Sequence, residues 1–368
     1  MKSRILFVLH IPPPIHGASV MGQYIRNSEL INDGVFENRY INLSTSRQIG
    51  EIGKGGIVKL FRFGSILMKI VAELLFHRPD FCYITIAVKG GPFYKDAIIV
   101  LLIRLLGVKR VFHLHNKGVL SCQSHFPERF LYPLVFSNAS VILLSQQLYP
   151  DIARYVPIDR VYYCPNGIPK LDVWQEVNQK NNKVSELLFL SNMISSKGVF
   201  VLLDACRILK ESGVSFHCTF VGDWGDIEES EFEQYVFRYD LQSYITYAGK
   251  KYGEEKAQYL KRADVFVFPT FYDNECFPLV LLESLQYALP VVTTNEGAIS
   301  EIVEDNRTGF IVPKKDMVAL SDKLEYLIRN PSIANEMGRN GQQDFLNKYT
   351  LDIFEKNFVK TLHQIVGN

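Results

Sequence analysis

Short β-branched or aromatic runs alternate with longer helical patterns along the whole chain, and this alternation limits its folds more than any single motif. Arg4–His10, Asp80–Ala87, Arg110–His115, Val141–Ser145 and Val161–Cys164 are continuous apolar runs of strand length. Ala18–Ser28, Ile57–His77, Asp96–Leu106 and Leu131–Ser137 carry helical periodicity between them. Strand, crossover helix, strand predicts a parallel sheet buried on both faces. A polar stretch follows the turn Pro165-Asn166-Gly167 and is read as a linker over 171–185. The alternation then restarts. Leu187–Leu190, Phe216–Val221, Ile245–Tyr247, Val265–Phe268, Val291–Thr294 and Phe310–Val312 read as strands, and Val199–Glu211 as a helix. The expected architecture is two Rossmann-like parallel-sheet domains, 1–170 and 186–349, facing across a cleft. The segment 350–368 reads as an amphipathic helix capped by Thr350, with Phe354, Phe358, Leu362 and Ile365 on one stripe. It is expected to pack back on the N-terminal domain.

The 368 residues suit two domains at about 150 each. With 40 Lys plus Arg against 39 Asp plus Glu, the chain has no basic field to recruit nucleic acid. Its six cysteines are scattered without a C-x-x-C pair, which argues against a zinc site or a disulfide framework and for buried free thiols. The first apolar stretch runs into Pro12-Pro13-Pro14 and reads as a strand, not a signal peptide. The longest apolar run, Ala97 to Val108, is interrupted by Arg104 and is shorter than the ~20 residues that span a bilayer. A cytoplasmic protein follows as the expectation, with a membrane surface within reach.

Three segments carry chemistry. The first strand leads through His16-Gly17-Ala18-Ser19 into a helix, without the G-x-G-x-x-G of a dinucleotide site or the lysine of a P-loop. One glycine at a helix N-terminus lets backbone N–H groups approach a phosphate. A plain strand-to-helix turn fits the same residues. Glu275-Cys276-Phe277-Pro278-Leu279-Val280-Leu281-Leu282-Glu283 places two carboxylates eight residues apart around a helix start. Glu275 falls in the loop, Glu283 about two turns inside the helix, and the amides of Phe277 and Leu279 form an anion site between them. The plain alternative, two solvated glutamates, conflicts with the apolar surroundings of Glu283. Third, Lys197 stands in a polar loop after the Leu188-Phe189-Leu190 strand, where a cation neutralises a leaving diphosphate or is simply solvated.

Taken together, these pieces resemble the retaining glycosyltransferases of family 4, which have the GT-B fold. The E-x7-E motif matches at Glu275 and Glu283. Ala263-Asp264-Val265-Phe266-Val267-Phe268-Pro269-Thr270 precedes it, and Ala288-Leu289-Pro290-Val291-Val292 follows. Gly297 with Glu301-Ile302-Val303, then Thr308-Gly309-Phe310-Ile311-Val312, continue the pattern. Phe112-His113-Leu114-His115-Asn116, Ser145 and Asn166-Gly167-Ile168 match landmarks in the first half.

The resemblance implies that Lys197 binds the donor diphosphate and Glu283 the ribose hydroxyls. Glu275 lies beside the donor sugar, with the amides of Phe277, Leu279 (flanking Pro278) and Gly17 around sugar and phosphates. His115 sits near the reacting sugar, and Gly249 and Lys250 belong to the base-contacting loop. Two positions depart from the family. Asn192 stands where an arginine usually accompanies the lysine, donating a hydrogen bond without charge. His16-Gly17 replaces a pair of glycines.

The implied reaction moves a hexose or N-acetylhexosamine, with retention, from a nucleotide-sugar to a saccharide hydroxyl. UDP is the first choice of nucleotide and GDP the second. No D-x-D motif occurs, so no metal and no other cofactor is expected. The helix Ile57–His77 carries Lys59, Arg62 and Lys69 on one face. With Lys54, an exposed Phe63, Gly53 and Gly55-Gly56, it offers a basic, apolar surface for an anionic inner membrane. That points to a polyprenyl-diphosphate-linked acceptor in bacterial O-antigen, lipopolysaccharide or capsule synthesis, with His16 on the acceptor side. The solvated side of a crossover helix is the plain alternative. A nucleotide-sugar 2-epimerase of the same fold and a non-catalytic sugar-nucleotide binding module are the competing readings.

Overall fold

A computed structural model describes residues 2–44, 56–171 and 184–367. The chain divides into two compact units, Met1–Asn166 with Leu351–Asn368, and Gly167–Thr350. Most of the segment 171–185 lies outside the described residues, as do Lys54, Gly53 and Gly55.

The first unit holds a six-stranded parallel sheet of β1 (Arg4–Leu9), β2 (Glu37–Asn42), β3 (Phe81–Ile84), β4 (Lys109–Leu114), β5 (Ser140–Leu143) and β6 (Val161–Tyr163), in the order β2-β1-β3-β4-β5-β6. The central strands are almost wholly buried, as their unbroken apolar runs require. β2 escapes sequence reading because Glu-Asn-Arg-Tyr-Ile-Asn is mostly polar. As an edge strand it is paired only to β1, and its exposed positions tolerate that composition. The helix Leu351–Gly367 lies on one face, where Phe358 packs against Phe7, Tyr83 and His113. Phe354, Phe358, Leu362 and Ile365 are all buried.

The second unit repeats the plan with β7 (Ser185–Leu190), β8 (Phe216–Val221), β9 (Ile245–Tyr247), β10 (Val265–Phe268), β11 (Val291–Thr294) and β12 (Gly309–Val312), in the order β12-β11-β10-β7-β8-β9. All pairs are parallel. The chain runs outward from β7 to β9, then crosses back to β10 on the other side of β7. The carboxyl ends of β7 and β10 therefore diverge at a topological switch point, where open α/β sheets leave a crevice. In the first sheet the corresponding place is between β1 and β3.

Candidate functional site

The two loops that leave β7 and β10 meet at the second unit's switch point. Lys197 ends a short 3-10 turn, Ser195–Lys197, and the chain enters the helix Val199–Glu211 through Gly198. Gly198 has φ +88°, and a Cβ there would come within 2.2 Å of the Pro269 carbonyl oxygen, so the two loops touch backbone to backbone. Across that contact the Lys197 ammonium pairs with Glu275 Oε2. Their side chains are only 13% and 10% exposed. The ammonium also stands 4.5 Å from the centre of the Tyr272 ring, a cation–π contact. Thr270, fully buried, reaches the same carboxylate oxygen at 3.5 Å. An ion pair this enclosed adds little net stability, because desolvating both groups offsets their attraction. What it does is hold a cation and an anion, both with little water, at the mouth of the sheet.

The Glu275 backbone is gripped from the other side by Gly297. Its φ is +58°, and a Cβ would meet Glu275 O at 2.3 Å, while Ala298 N–H donates to Cys276 O at 2.8 Å. Beyond Glu275 the chain turns at Pro278 into the helix Leu279–Gln286. Pro278 is the residue before the first turn, so Glu283 lies little more than one turn inside the helix, and not the two expected. Its side chain is 21% exposed. Lys256 Nζ donates to Oε1 at 2.7 Å, and Oε2 is buried without a hydrogen-bond partner among the described residues. Leu279 and Val280 begin the helix, where amide N–H groups have no intrahelical acceptor. Phe277 contributes only backbone to this surface. Its ring is buried, 5.9 Å from that of Tyr349.

On the β8 side, Met193 N–H donates to Asp223 O at 2.8 Å and Ser191 N–H to Val221 O at 3.0 Å, seating half-buried Asn192 beside the loop after β8. Gly249, with φ +70°, accepts from Gly222 N–H at 3.2 Å. The Lys250 ammonium donates to Asp223 Oδ2 at 2.7 Å, which raises its pKa. Asn192, Lys197, Gly249, Lys250, Glu275 and Glu283 thus all belong to the carboxyl-end side of one sheet or to the helix that follows it. Sequence reasoning missed Lys256, Tyr272 and Asp223. None carries a motif of its own, since each is placed by the fold against a partner 27, 75 or 27 residues away in the chain.

In the first unit the loops after β1 and β4 bring histidines together. His16 is the N-cap of the helix Gly17–Asn27: its Nδ1 accepts from Ser19 N–H at 3.3 Å, and Ser19 Oγ accepts from His16 N–H at 3.0 Å. This is the structural use of a strand-to-helix turn, and it leaves the space around the Gly17 Cα open. The His10 ring lies 5.7 Å from His16, and that of His115 lies 4.3 Å from His113. Burial pushes His10 and His115 down to about 3 and lowers His16, so these rings are neutral at pH 7. His115 Nε2 is buried without a partner among the described residues. Lys59 and Arg62 are half-buried and Lys69 is exposed on the helix Ile57–Phe76. Phe63, expected at the surface, is half-buried instead, and Phe61 is the exposed ring.

Of the two parallel α/β sheets, the second has an ammonium–carboxylate pair and a helix start at its switch point, the place where open α/β sheets bind ligands. Residues 172–344 match the family Glycosyl transferases group 1. The amylovoran biosynthesis glycosyltransferase AmsK of Erwinia amylovora is 29% identical over 196 residues, 52% of this chain and 48% of that one. The matched stretch thus spans about half the length of the curated relative. Among solved structures, sucrose-phosphate synthase from Thermosynechococcus elongatus aligns over 100% of both chains with a TM-score of 0.77 at 17% identity. Anabaena Alr3699/HepE in complex with UDP-glucose aligns over 98% of this chain and 99% of that one, with a TM-score of 0.72 at 16% identity. These likenesses establish the fold, two Rossmann-like sheets of the GT-B class. Among the described residues no helix is long and apolar enough to cross a membrane.

Proposed function

We propose that the chain is a glycosyltransferase of bacterial surface polysaccharide synthesis, moving a hexose or N-acetylhexosamine from a nucleotide-sugar to a saccharide hydroxyl. The observation that carries this reading is the division of labour at the carboxylates. Glu283 has one oxygen fixed by Lys256 and the other buried without a partner among the described residues, which supports reading it as the acceptor for a hydroxyl pair such as a ribose diol. Lys197 is paired to Glu275. A donor diphosphate is the stronger partner for that ammonium, and its arrival frees Glu275 to accept hydrogen bonds from the donor sugar. As the glycosidic bond to the diphosphate breaks, charge grows on the leaving oxygen. In this proposal Lys197, Asn192 and the amide N–H groups of Phe277 and Leu279, flanking Pro278, stabilise it. Gly249 and Lys250 take the base in this proposal, and Gly17 and His115 also serve the donor. As a neutral ring, His115 acts by hydrogen bonding and not by charge.

UDP is the favoured nucleotide, supported by the UDP-glucose complex of HepE, and GDP is second. Retention of anomeric configuration and independence of metal follow from the family resemblance. The acceptor is proposed to be polyprenyl-diphosphate-linked, met at an anionic inner-membrane surface on the cytoplasmic side through the helix bearing Lys59, Arg62 and Lys69. AmsK supports the polysaccharide context. Calorimetry without metal tests the donor site. One of UDP and GDP should bind the wild type, and Glu283→Ala should weaken it by about ten- to a hundredfold, as expected for hydrogen bonds to a charged group. Binding of neither nucleotide, or equal binding by the variant, would reject the assignment and return the binding-module and epimerase readings.

A further inference from the structure

The first unit carries a second surface that this reading does not use. The helix Gly90–Leu105 is apolar on two opposite sides: Phe93, Ala97, Val100 and Ile103 are buried, yet the opposite stripe is Tyr94, Ile98 and Leu105, exposed at 36%, 50% and 83%. Such a helix belongs inside a protein or against something apolar. The neighbouring helix Glu128–Phe136 repeats the pattern. It buries Tyr132, Val135 and Phe136, the last against Phe112 of the sheet, and turns Phe130 and Leu134 outward at 53% and 44%, with Phe126 before it at 77%. The two outward stripes are adjacent. Arg104 donates to the Leu134 carbonyl at 2.8 Å and Tyr94 O–H to Glu128 at 2.6 Å. Phe126 and Phe130 meet edge to face, 5.9 Å apart, and the Arg129 guanidinium lies over the Phe130 ring.

Charge names the occupant. Between Lys89 and Ser137 the sequence has seven lysines and arginines, of which Arg110 is buried, and only two carboxylates, Asp96 and Glu128, both buried. In a chain of net charge +1 this is a local excess that a neutral or basic protein partner would not meet. Exposed aromatic and aliphatic side chains interleaved with arginines, and no exposed carboxylate, is the composition that enters an anionic lipid interface. We propose that the stripes carrying Tyr94, Ile98, Leu105, Phe126, Phe130 and Leu134 insert into the headgroup region of an anionic bilayer. This deepens the membrane-contact part of the proposed function with residues outside the helix Ile57–Phe76, and it requires no catalytic step.

The test is co-sedimentation of the full chain with vesicles of phosphatidylcholine and phosphatidylglycerol (3:1), and of phosphatidylcholine alone, comparing wild type with Phe126→Ser/Phe130→Ser. Both side chains are exposed, so the fold, followed by circular dichroism, is expected to be unchanged. The wild type should bind the mixed vesicles more strongly than neutral ones. The double variant should lose about tenfold or more in partitioning while its thermal midpoint stays the same. Equal partitioning of variant and wild type, or no binding by the wild type, would overturn the proposal. So would a concentration-dependent wild-type dimer that the double variant abolishes, which would assign the patch to a second copy. Vesicle binding is read without nucleotide, so its failure and the failure of the donor site are separate results.

Discussion

Each charged side chain at the second unit's switch point is only half committed. Lys197 has a carboxylate and an aromatic face; Glu283 has a lysine on one oxygen and, among the described residues, no partner on the other. A ligand that supplies phosphate oxygens and hydroxyls completes all of these valences at once. Replacing Lys197 by alanine should therefore lower kcat by about 10²–10³-fold, the usual scale for removing one electrostatic stabiliser of a leaving group. It should also leave Glu275 enclosed without its cation. Steady-state transfer assays on the variant read this directly, and a kcat within a factor of three of wild type would contradict it. The histidines of the first unit make a separate prediction. His113 is fully buried, with its Nδ1 2.7 Å from the Tyr83 hydroxyl, and burial pushes its pKa well below 6.5. His10 and His115 are pushed to about 3. In the unfolded chain they take up protons near 6.5, so below that pH the unfolded state binds more protons and stability falls as pH falls. Denaturant midpoints should be level above pH 7. From pH 6.5 to pH 5 unfolding free energy should drop by up to about 1.4 kcal/mol per unit for each such histidine. A flat profile over that interval would show that these rings are not held neutral.

At the scale of elements, the site depends on two glycines that no catalytic motif singles out as structural. Gly198 lets the β7 loop touch Pro269, and Gly297 lets the loop after β11 press on Glu275 and Cys276. Gly297→Ala places a Cβ where φ is +58° and a carbonyl oxygen stands 2.3 Å away. It should cost about 1–3 kcal/mol in unfolding free energy. Because the clash is with the Glu275 backbone, it should weaken nucleotide binding as well. Thermal melts and calorimetry on one preparation measure both, and an unchanged melt would mean the loop shifts freely. Elements were unevenly legible. Val199–Glu211, Phe216–Val221, Ile245–Tyr247, Val265–Phe268 and Val291–Thr294 coincide residue for residue with expectation. The helix expected at Asp96 begins at Gly90, because its first turn holds two glycines and Pro92, residues that read as loop yet fit a helix start. Glu128–Phe136 likewise begins three residues before the expected Leu131, directly after Pro127, a residue that reads as loop.

For the whole molecule, two sheets of one plan each present a switch point, and among the described residues the second gathers an ammonium and carboxylates around a helix start. In the proposed reaction Lys197, Asn192 and first-turn amides, without a metal, are the groups that meet the leaving diphosphate. Transfer should therefore proceed in the presence of a chelator at a rate within about twofold of that without it. Activity abolished by chelation and restored by magnesium or manganese would refute metal independence.

Continuous apolar strands separated by crossover helices already require the two parallel sheets, because no other simple arrangement buries both strand faces. Glu283 stood out locally, as a carboxylate in an apolar helix, whereas Lys197 and Glu275 stood out through the family resemblance and have an ordinary solvated reading in isolation. How those charges are met is set by long-range packing. The Lys256 partner of Glu283, the Tyr272 ring beside Lys197 and the Gly297 contact behind Glu275 join residues far apart in the chain, and no local pattern encodes a long-range pair. The outward stripes at Ile98 and Phe130 belong to the same class. Periodicity marks apolar residues on opposite sides of a helix, but which side stays uncovered depends on what packs against the other.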